Sequence, residues 1–522
     1  MRSAINCIAG HCGSPSHSIN VYQHHRRTSL TLSELDARAH RLAGYLASQD
    51  LEQGDRIGIV SQNCLEWVLL DLAAIKCKVV TAGFEASRFI ASGELMRAFG
   101  LKMIFADHAA DVSGVRQIRE LDEVLAGYGE RPVPKAMYSA DDVTTIKFTS
   151  GSTGKPKGLA ATVGSIDSSL EAVQQMFDHG PRDKIFVFLP LSLLQQRYWI
   201  YSALCHNHDI VVTTYELAFH ALKREHPTVV MGVPGFFEVL RRRIEGRARE
   251  LTSEFDQLPS DEQAVLCRDC AAQILGTRIR YMWTGSAPAS PATLAFFQRC
   301  NLPIYEGYGM NETCIVTKNH PGASRLGSVG KPVAGKSVYL DKDGVVIVRS
   351  RFPVNTRYMF CEPGESERIF LPNGDVRTGD LGYLDANGYL YITGRTDDVV
   401  ALDNGKNVQV RPIEEEVKAC TAIFDCVLFG VGRPYLVAVI SATDPPDASA
   451  IDEHVKRVNS KLGKEQRIGC YLLSPEIFSI ENGLLTSQYK PKRKEIFARF
   501  RERIAGLYGD SSASRVTSTT PG

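Results

Sequence analysis

The segment Thr149-Ser-Gly-Ser-Thr-Gly-Lys-Pro-Lys-Gly158 holds three glycines, four hydroxyl residues and two lysines in ten positions. That mixture suits an anion. Backbone N–H groups around Gly151 and Gly154 can form a nest, and the hydroxyls of Thr149, Ser150, Ser152 and Thr153 can donate to oxyanions. Lys155 and Lys157 add charge-assisted bonds. The segment follows an apolar run, Val143 to Phe148, that reads as a strand. A nucleotidase P-loop would need G-x-x-x-x-G-K-[ST]. Here the first glycine position is Thr149 and the residue after Lys155 is Pro156, so that motif fails twice. Taken alone, the stretch would also pass as a flexible surface loop.

Further short motifs follow in order, and together they carry a resemblance. Gly285-Ser286-Ala287-Pro288 is followed by Tyr305-Glu306-Gly307-Tyr308-Gly309-Met310-Asn311-Glu312, then Thr378-Gly-Asp380, then Gly394-Arg395. With FTSGSTGKPKG, this series resembles the superfamily of acyl-CoA synthetases, peptide-synthetase adenylation domains and luciferases. Most of the chain is covered. The final piece, Gly483-Leu-Leu-Thr-Ser-Gln-Tyr-Lys-Pro-Lys-Arg493, is similar to the G-L-L-T-x-x-x-K-x-K-R segment of the long-chain acyl-CoA synthetase branch. Asp403-Asn-Gly-Lys-Asn-Val408 resembles a loop of the same branch.

The resemblance implies an ATP-dependent ligase that forms an acyl-adenylate, expels pyrophosphate and passes the acyl group to an acceptor. Each motif then has a physical reason. Carboxylate and triphosphate repel, so the site must gather cations and dipoles. The loop hydroxyls and Lys155 suit the β- and γ-phosphates. Gly285 to Pro288 would cradle adenine, and Glu306, Gly307, Tyr308 and Gly309 would complete the nucleotide site. Glu312 suits Mg²⁺, which takes one carboxylate together with phosphate oxygens and water. Asp380 can accept from both ribose hydroxyls. Arg395 would stand near ribose and phosphate. Asn311, where Thr or Ser is commoner, can still donate to a phosphate oxygen. Lys490 would reach the α-phosphate and carboxylate, and Asp397 falls at the family's hinge. The acid pocket is expected around Phe236, Trp283 and Met310, with Gly307 in its floor. CoA is the expected acceptor. An amine, as in coronafacate ligase-like enzymes of secondary metabolism, a carrier-protein thiol, or a non-catalytic adenylate-binding role are the alternatives.

The chain also departs from the pattern. In Leu189-Pro-Leu-Ser-Leu-Leu-Gln-Gln-Arg197 the usual His is Leu193 and the usual Glu is Gln196, while Arg197 is retained. Arg357-Tyr358 stands where many relatives have Gly-Tyr. The Leu193 exchange bears on the acid pocket and on the path of the second acceptor.

The elements around these motifs alternate strand and helix. Glu34 to Ser48 has helical spacing, Arg56 to Val60 reads as a buried strand, Cys64 to Lys76 as a helix and Lys102 to Ala106 as a strand. Such alternation predicts an α/β fold with mainly parallel sheets. Between Lys336 and Asp385, short β-rich pieces with Gly and Asn turns predict an antiparallel sheet or small β-barrel. After Arg395, strands and helices mix again. The expectation is an adenylation body at 1–395, a smaller mobile α+β cap at 396–508 and a disordered tail at 509–522.

Composition limits the partners. Sixty basic residues face 59 acidic ones, which leaves no global field for nucleic acid or anionic membranes. The apolar run Trp67 to Ile75 contains Asp71 and is far below the ~18–20 residues of a membrane span. The opening residues lack an apolar core followed by a cleavage site, so no signal peptide is expected. Thirteen cysteines, scattered singly except for Cys267 and Cys270, fit a reducing compartment such as the cytoplasm. The Cys267–Cys270 pair lies within helical periodicity and has no further ligands at metal spacing, so a core helix is expected there.

Overall fold

A computed structural model describes residues 3–509 except 24–25, 109–111, 128–132, 134, 151–155, 444 and 487–488, with the backbone alone at 149, 150 and 397. Two large sheets dominate. The six-stranded sheet runs β6 (Val115–Gln117), β5 (Met103–Ala106), β3 (Arg56–Val60), β4 (Val80–Phe84), β7 (Val143–Ser150) and β8 (Pro156–Thr162). All its pairs are parallel except β7 with β8, an antiparallel pair in which Ser150 faces Pro156. The glycine-rich segment therefore begins on β7 and ends on β8, with residues 151–155 outside the described residues.

The nine-stranded sheet runs β15 (Lys331–Pro332), β14 (Cys314–Lys318), β13 (Ile304–Met310), β12 (Tyr281–Thr284), β11 (Val229–Gly232), β9 (Lys184–Val187), β10 (Asp209–Val212), β1 (Ser18–Gln23) and β2 (Arg26–Thr31). Its middle is parallel and its two margins are antiparallel. Parallel strands covered on both faces read as unbroken apolar runs, which is why these segments lacked alternation.

The helices follow the same logic. Leu65–Cys77 is buried at all thirteen positions, as a helix apolar all round must be. Leu32–Ala47 is amphipathic and begins in a capping box: the Glu34 N–H donates to the Thr31 hydroxyl, and the Glu34 carboxylate accepts from the Thr31 N–H. The main core cluster joins these helices to both sheets. Cys267 and Cys270 are buried in the helix Ser260–Leu275, and their thiols are free.

The expected antiparallel region is a four-stranded open sheet: β16 (Lys336–Leu340), β17 (Val345–Ser350), β18 (Val376–Leu384) and β19 (Leu390–Arg395). Its outer strands do not pair with each other, and four strands are too few to close a filled barrel. Beyond a turn at Thr396–Asp398 lie the hairpin β20 (Val399–Ala401) and β21 (Asn407–Gln409), and the sheet β22 (Ile423–Phe429), β23 (Leu436–Ala442) and β24 (Ile468–Leu473). Helices Arg411–Lys418, Ala448–Lys461 and Arg493–Gly506 accompany them. This smaller C-terminal domain has its own core clusters. Short strand β24 and the first helix, Ala4–Ala9, are additions to the sequence reading. The tail from 510 and loop residues 151–155 lie outside the described residues.

The C-terminal domain docks on the helix Pro234–Leu251. Arg242 donates to the Ile423 carbonyl at 2.8 Å and covers the Phe424 ring. Tyr489 packs on Tyr215 with ring centroids 4.3 Å apart.

Candidate active site

Strand β13 and the turn after it bring most of the motif residues together. Gly309 is required there, because a Cβ would lie 2.0 Å from the Cys314 carbonyl oxygen. Residues 310–313 form a tight turn in which the Thr313 N–H donates to the Met310 carbonyl. That turn places Glu312 inward and buries it. The Tyr358 hydroxyl donates to the Glu312 carboxylate at 2.5 Å. Lys157 on β8 lies over the same Tyr358 ring and pairs with Glu365 at 2.9 Å. Lys157 thus has a carboxylate partner of its own, although the sequence marked it for phosphate. No cluster of three or more metal-ligating side chains exists among the described residues. A single carboxylate held by a phenol fits Mg²⁺, which draws its remaining ligands from phosphate and water.

Gly285 to Pro288 sits beside β13. A Cβ at Gly285 would be 3.2 Å from the Gly307 carbonyl oxygen, and Ser286 adopts φ +71°. The Ala289 N–H donates to the Glu306 carboxylate at 3.2 Å, which ties the turn to the strand. Burial pushes the Glu306 carboxyl up to about 7.

Asp380 lies at the start of the last antiparallel pair, opposite Arg395. Gly379 before it has φ +75°, a conformation that favours glycine. The Tyr308 hydroxyl donates to one Asp380 oxygen at 2.6 Å, and Arg395 Nε lies 3.5 Å from the other. Burial holds Asp380 above the usual carboxylate range, against the pull of Arg395, Tyr308 and Lys490. Lys490 arrives from the C-terminal domain on a loop closed by bonds between Thr486 and Lys490. Burial, with Arg411 and Arg395 nearby, lowers its ammonium to about 8, while Asp380 and Asp398 pull the other way. Two domains therefore contribute to one charged cluster. Asn311, next to Glu312 in the turn after β13, is half-buried.

Other expectations separate. Phe236 is fully buried in a second core cluster, against Phe188 and Phe219. Trp283 and Met310 belong to the main cluster on the other face. Adjacent strand residues face opposite ways, so Met282 joins Phe236 while Trp283 does not. Phe236 therefore lies in a different cluster from Trp283 and Met310, with which the sequence grouped it. Lys155 and its neighbours 151–154 lie outside the described residues, as does the Asp397 side chain, although its backbone is in the turn Thr396–Asp398. Arg197 is fully buried and pairs with Asp71 at 2.8 Å, with Thr145 and Thr81 beside it, so its surroundings are structural. Leu193 caps the helix Leu194–His206 without a side-chain bond.

Tyr358, which bonds Glu312, and Arg411, which acts on Lys490, escaped the sequence reading. Tyr358 was noted only as a neighbour of a departure. A further tie joins the motifs. Lys147 on β7 and Cys314 on β14 are both buried, with Nζ donating to Sγ at 3.3 Å. Burial raises the Cys314 thiol, but Lys147, the Tyr198 hydroxyl and Lys336 outweigh it and leave the thiol below its ordinary value.

Known proteins share this fold. The model of the AMP-binding enzyme family matches residues 12–349, and that of the AMP-binding enzyme C-terminal domain matches 397–512. The chain belongs to the AMP-binding enzyme family. It is 27% identical to the long-chain-fatty-acid–CoA ligase FadD15 of Mycobacterium tuberculosis, over 92% of each chain. It is 24% identical to the 2-succinylbenzoate–CoA ligase of Bacillus subtilis, over 89% of this chain and 94% of that one. In fold it matches the adenylation domain of a carboxylic acid reductase from Segniliparus rugosus, solved with AMP and a co-purified carboxylic acid. The TM-score is 0.79 at 18% identity, covering 98% of this chain and 94% of that one. O-succinylbenzoate coenzyme A synthetase (MenE) of Bacillus subtilis, solved with AMP, gives 0.75 at 20% identity, covering 95% and 98%.

Proposed function

We propose that the protein activates a carboxylic acid with ATP, forming an acyl-adenylate and pyrophosphate, and then transfers the acyl group to CoA. The observation that carries this reading is that Lys490, a cation of the C-terminal domain, lies within electrostatic reach of Asp380 and Arg395, which pair at 3.5 Å on the larger domain. In the reaction the acid's oxygen attacks the α-phosphorus and the bond to pyrophosphate breaks. Lys490 and Arg395 would offset the charge gathering on the α-phosphoryl group. Asp380 would accept from the ribose hydroxyls, and Glu312, held by Tyr358, would hold Mg²⁺, which neutralises phosphate charge when bound. Thr149 to Lys155 would embrace the outer phosphates. A boundary near 395, with a hinge at Asp397, would let the C-terminal domain turn between half-reactions.

CoA as acceptor is supported by the named activities of the relatives. The exchange of the usual His for Leu193 keeps an amine acceptor in contention, because it alters the segment beside the acid pocket. Pyrophosphate release is measured over a broad panel of acids, followed by addition of CoA or an amine and mass identification of the product. Acid-dependent release and a thioester are expected. No release with any acid contradicts the reading, and an amide product moves the acceptor from thiol to amine.

A further inference from the structure

Lys318 is a lysine where an apolar strand residue would be ordinary. It ends β14 opposite Gly307 and is 1% exposed. Its Nζ donates to the Tyr305 carbonyl at 2.7 Å and lies 3.5 Å from the centroid of the Trp283 ring. A Cβ at Gly307 would come within 3.2 Å of that nitrogen, so the ammonium rests against the glycine strand of the nucleotide site. Among the described residues no carboxylate forms an ion pair with it; burial pulls its ammonium well below the usual lysine range, and Glu306, acting through space, pulls the other way. Even the neutral amine has two N–H donors, and one protein acceptor uses one of them.

The surroundings form a row. Met231, Trp283 and Tyr305 are register partners across β11, β12 and β13 and so share a face. Above them the helix Leu194–His206 presents Gln196 and Trp199, three residues apart. The Trp199 indole N–H donates to the Met231 sulfur at 2.8 Å, and its ring meets Trp283 edge-on at 5.2 Å. Gln196 is 1% exposed and its Oε1 has no partner among the described residues. Buried polar atoms are normally satisfied, so a lysine and a glutamine oxygen left over among aromatic rings on one face of the sheet call for a polar ligand group.

We infer that Lys318 is the specificity-determining residue of the acid pocket and selects acids whose tail carries an oxygen acceptor — a hydroxyl, oxo group or second carboxylate — over plain alkanoic acids. This rests on the acid-activating function proposed above. A site built to bond a polar group disfavours the analogue that lacks it, because its own buried group is then left unpaired. The tail oxygen accepts from Nζ, and the Gln196 oxygen on the facing helix is the second buried polar atom left for such a group.

The test uses the full chain and pairs of acids of equal length, one plain and one bearing a hydroxyl, oxo or terminal carboxylate group. Acid-dependent pyrophosphate release is measured for the native protein and for Lys318→Met, with ATP binding as the check on folding. The native protein is expected to favour one class of oxygen-bearing acid by at least about tenfold in kcat/KM, and Lys318→Met to remove that preference by raising KM for those acids. Which oxygen class wins identifies the tail. Equal rates for plain and oxygen-bearing acids in the native protein overturn the inference, even if the variant does not fold. So does a preference that Lys318→Met leaves intact. The absence of release with every acid tried overturns the inference together with the acid-activating reading, whereas a preference for the plain acids overturns the inference alone.

Discussion

At the residue scale, charge is the organising quantity. Lys490 sits among Arg411, Arg395, Asp380 and Asp398, and burial lowers its ammonium to about 8. If the protonated form assists adenylation, kcat/KM for ATP falls as pH rises through about 8, since that parameter reports the free enzyme. Lys490→Arg, whose guanidinium stays charged, carries the profile to higher pH. A profile flat from 7 to about 10 contradicts the role. Arg197 obeys a different rule. It and Asp71 are buried together, with the Tyr201 hydroxyl completing the carboxylate's bonds. Breaking one side leaves a buried charge uncompensated, so Asp71→Asn lowers stability by about 3 kcal/mol, measured by denaturant unfolding. A loss below ~1 kcal/mol contradicts the pairing's importance.

At the element scale, Lys147 to Cys314 is one of the polar ties between the two large sheets. It joins β7, which leads into the glycine-rich segment, to β14, which follows Glu312. Lys147→Met and Cys314→Ala, alone and combined, are expected to couple by about 1 kcal/mol in unfolding free energy. Additivity within ~0.3 kcal/mol would show that the contact carries no interaction of its own. The same elements show what a sequence can and cannot disclose. Asp380, Tyr308 and Lys490 were legible because their chemistry sits in short motifs whose order survives. The parallel strands were legible from apolar runs. Lys318 and Tyr358 were not, since each acts through a neighbour on another strand or loop and only register reveals it. Phe236 was grouped with Trp283 for a related reason: aromatic residues close in sequence face either side of a sheet, and periodicity without topology does not say which. Whether the antiparallel sheet was open or closed was beyond reach too, because turn-rich composition is common to both.

At the scale of the whole molecule, the active arrangement is shared between domains. The C-terminal domain rests on the helix Pro234–Leu251 and on Tyr215, and this placement brings Lys490 to the Asp380 side. A family member that turns its C-terminal domain between half-reactions needs Lys490 in only one of them. The most direct measurement is acid-dependent ATP–pyrophosphate exchange, set beside the consumption of preformed acyl-adenylate by CoA, in the native protein and in Lys490→Ala. The account predicts that Lys490→Ala reduces exchange by about a hundredfold or more while the second half-reaction changes little. Equal losses in both half-reactions, or full exchange in the variant, would contradict it.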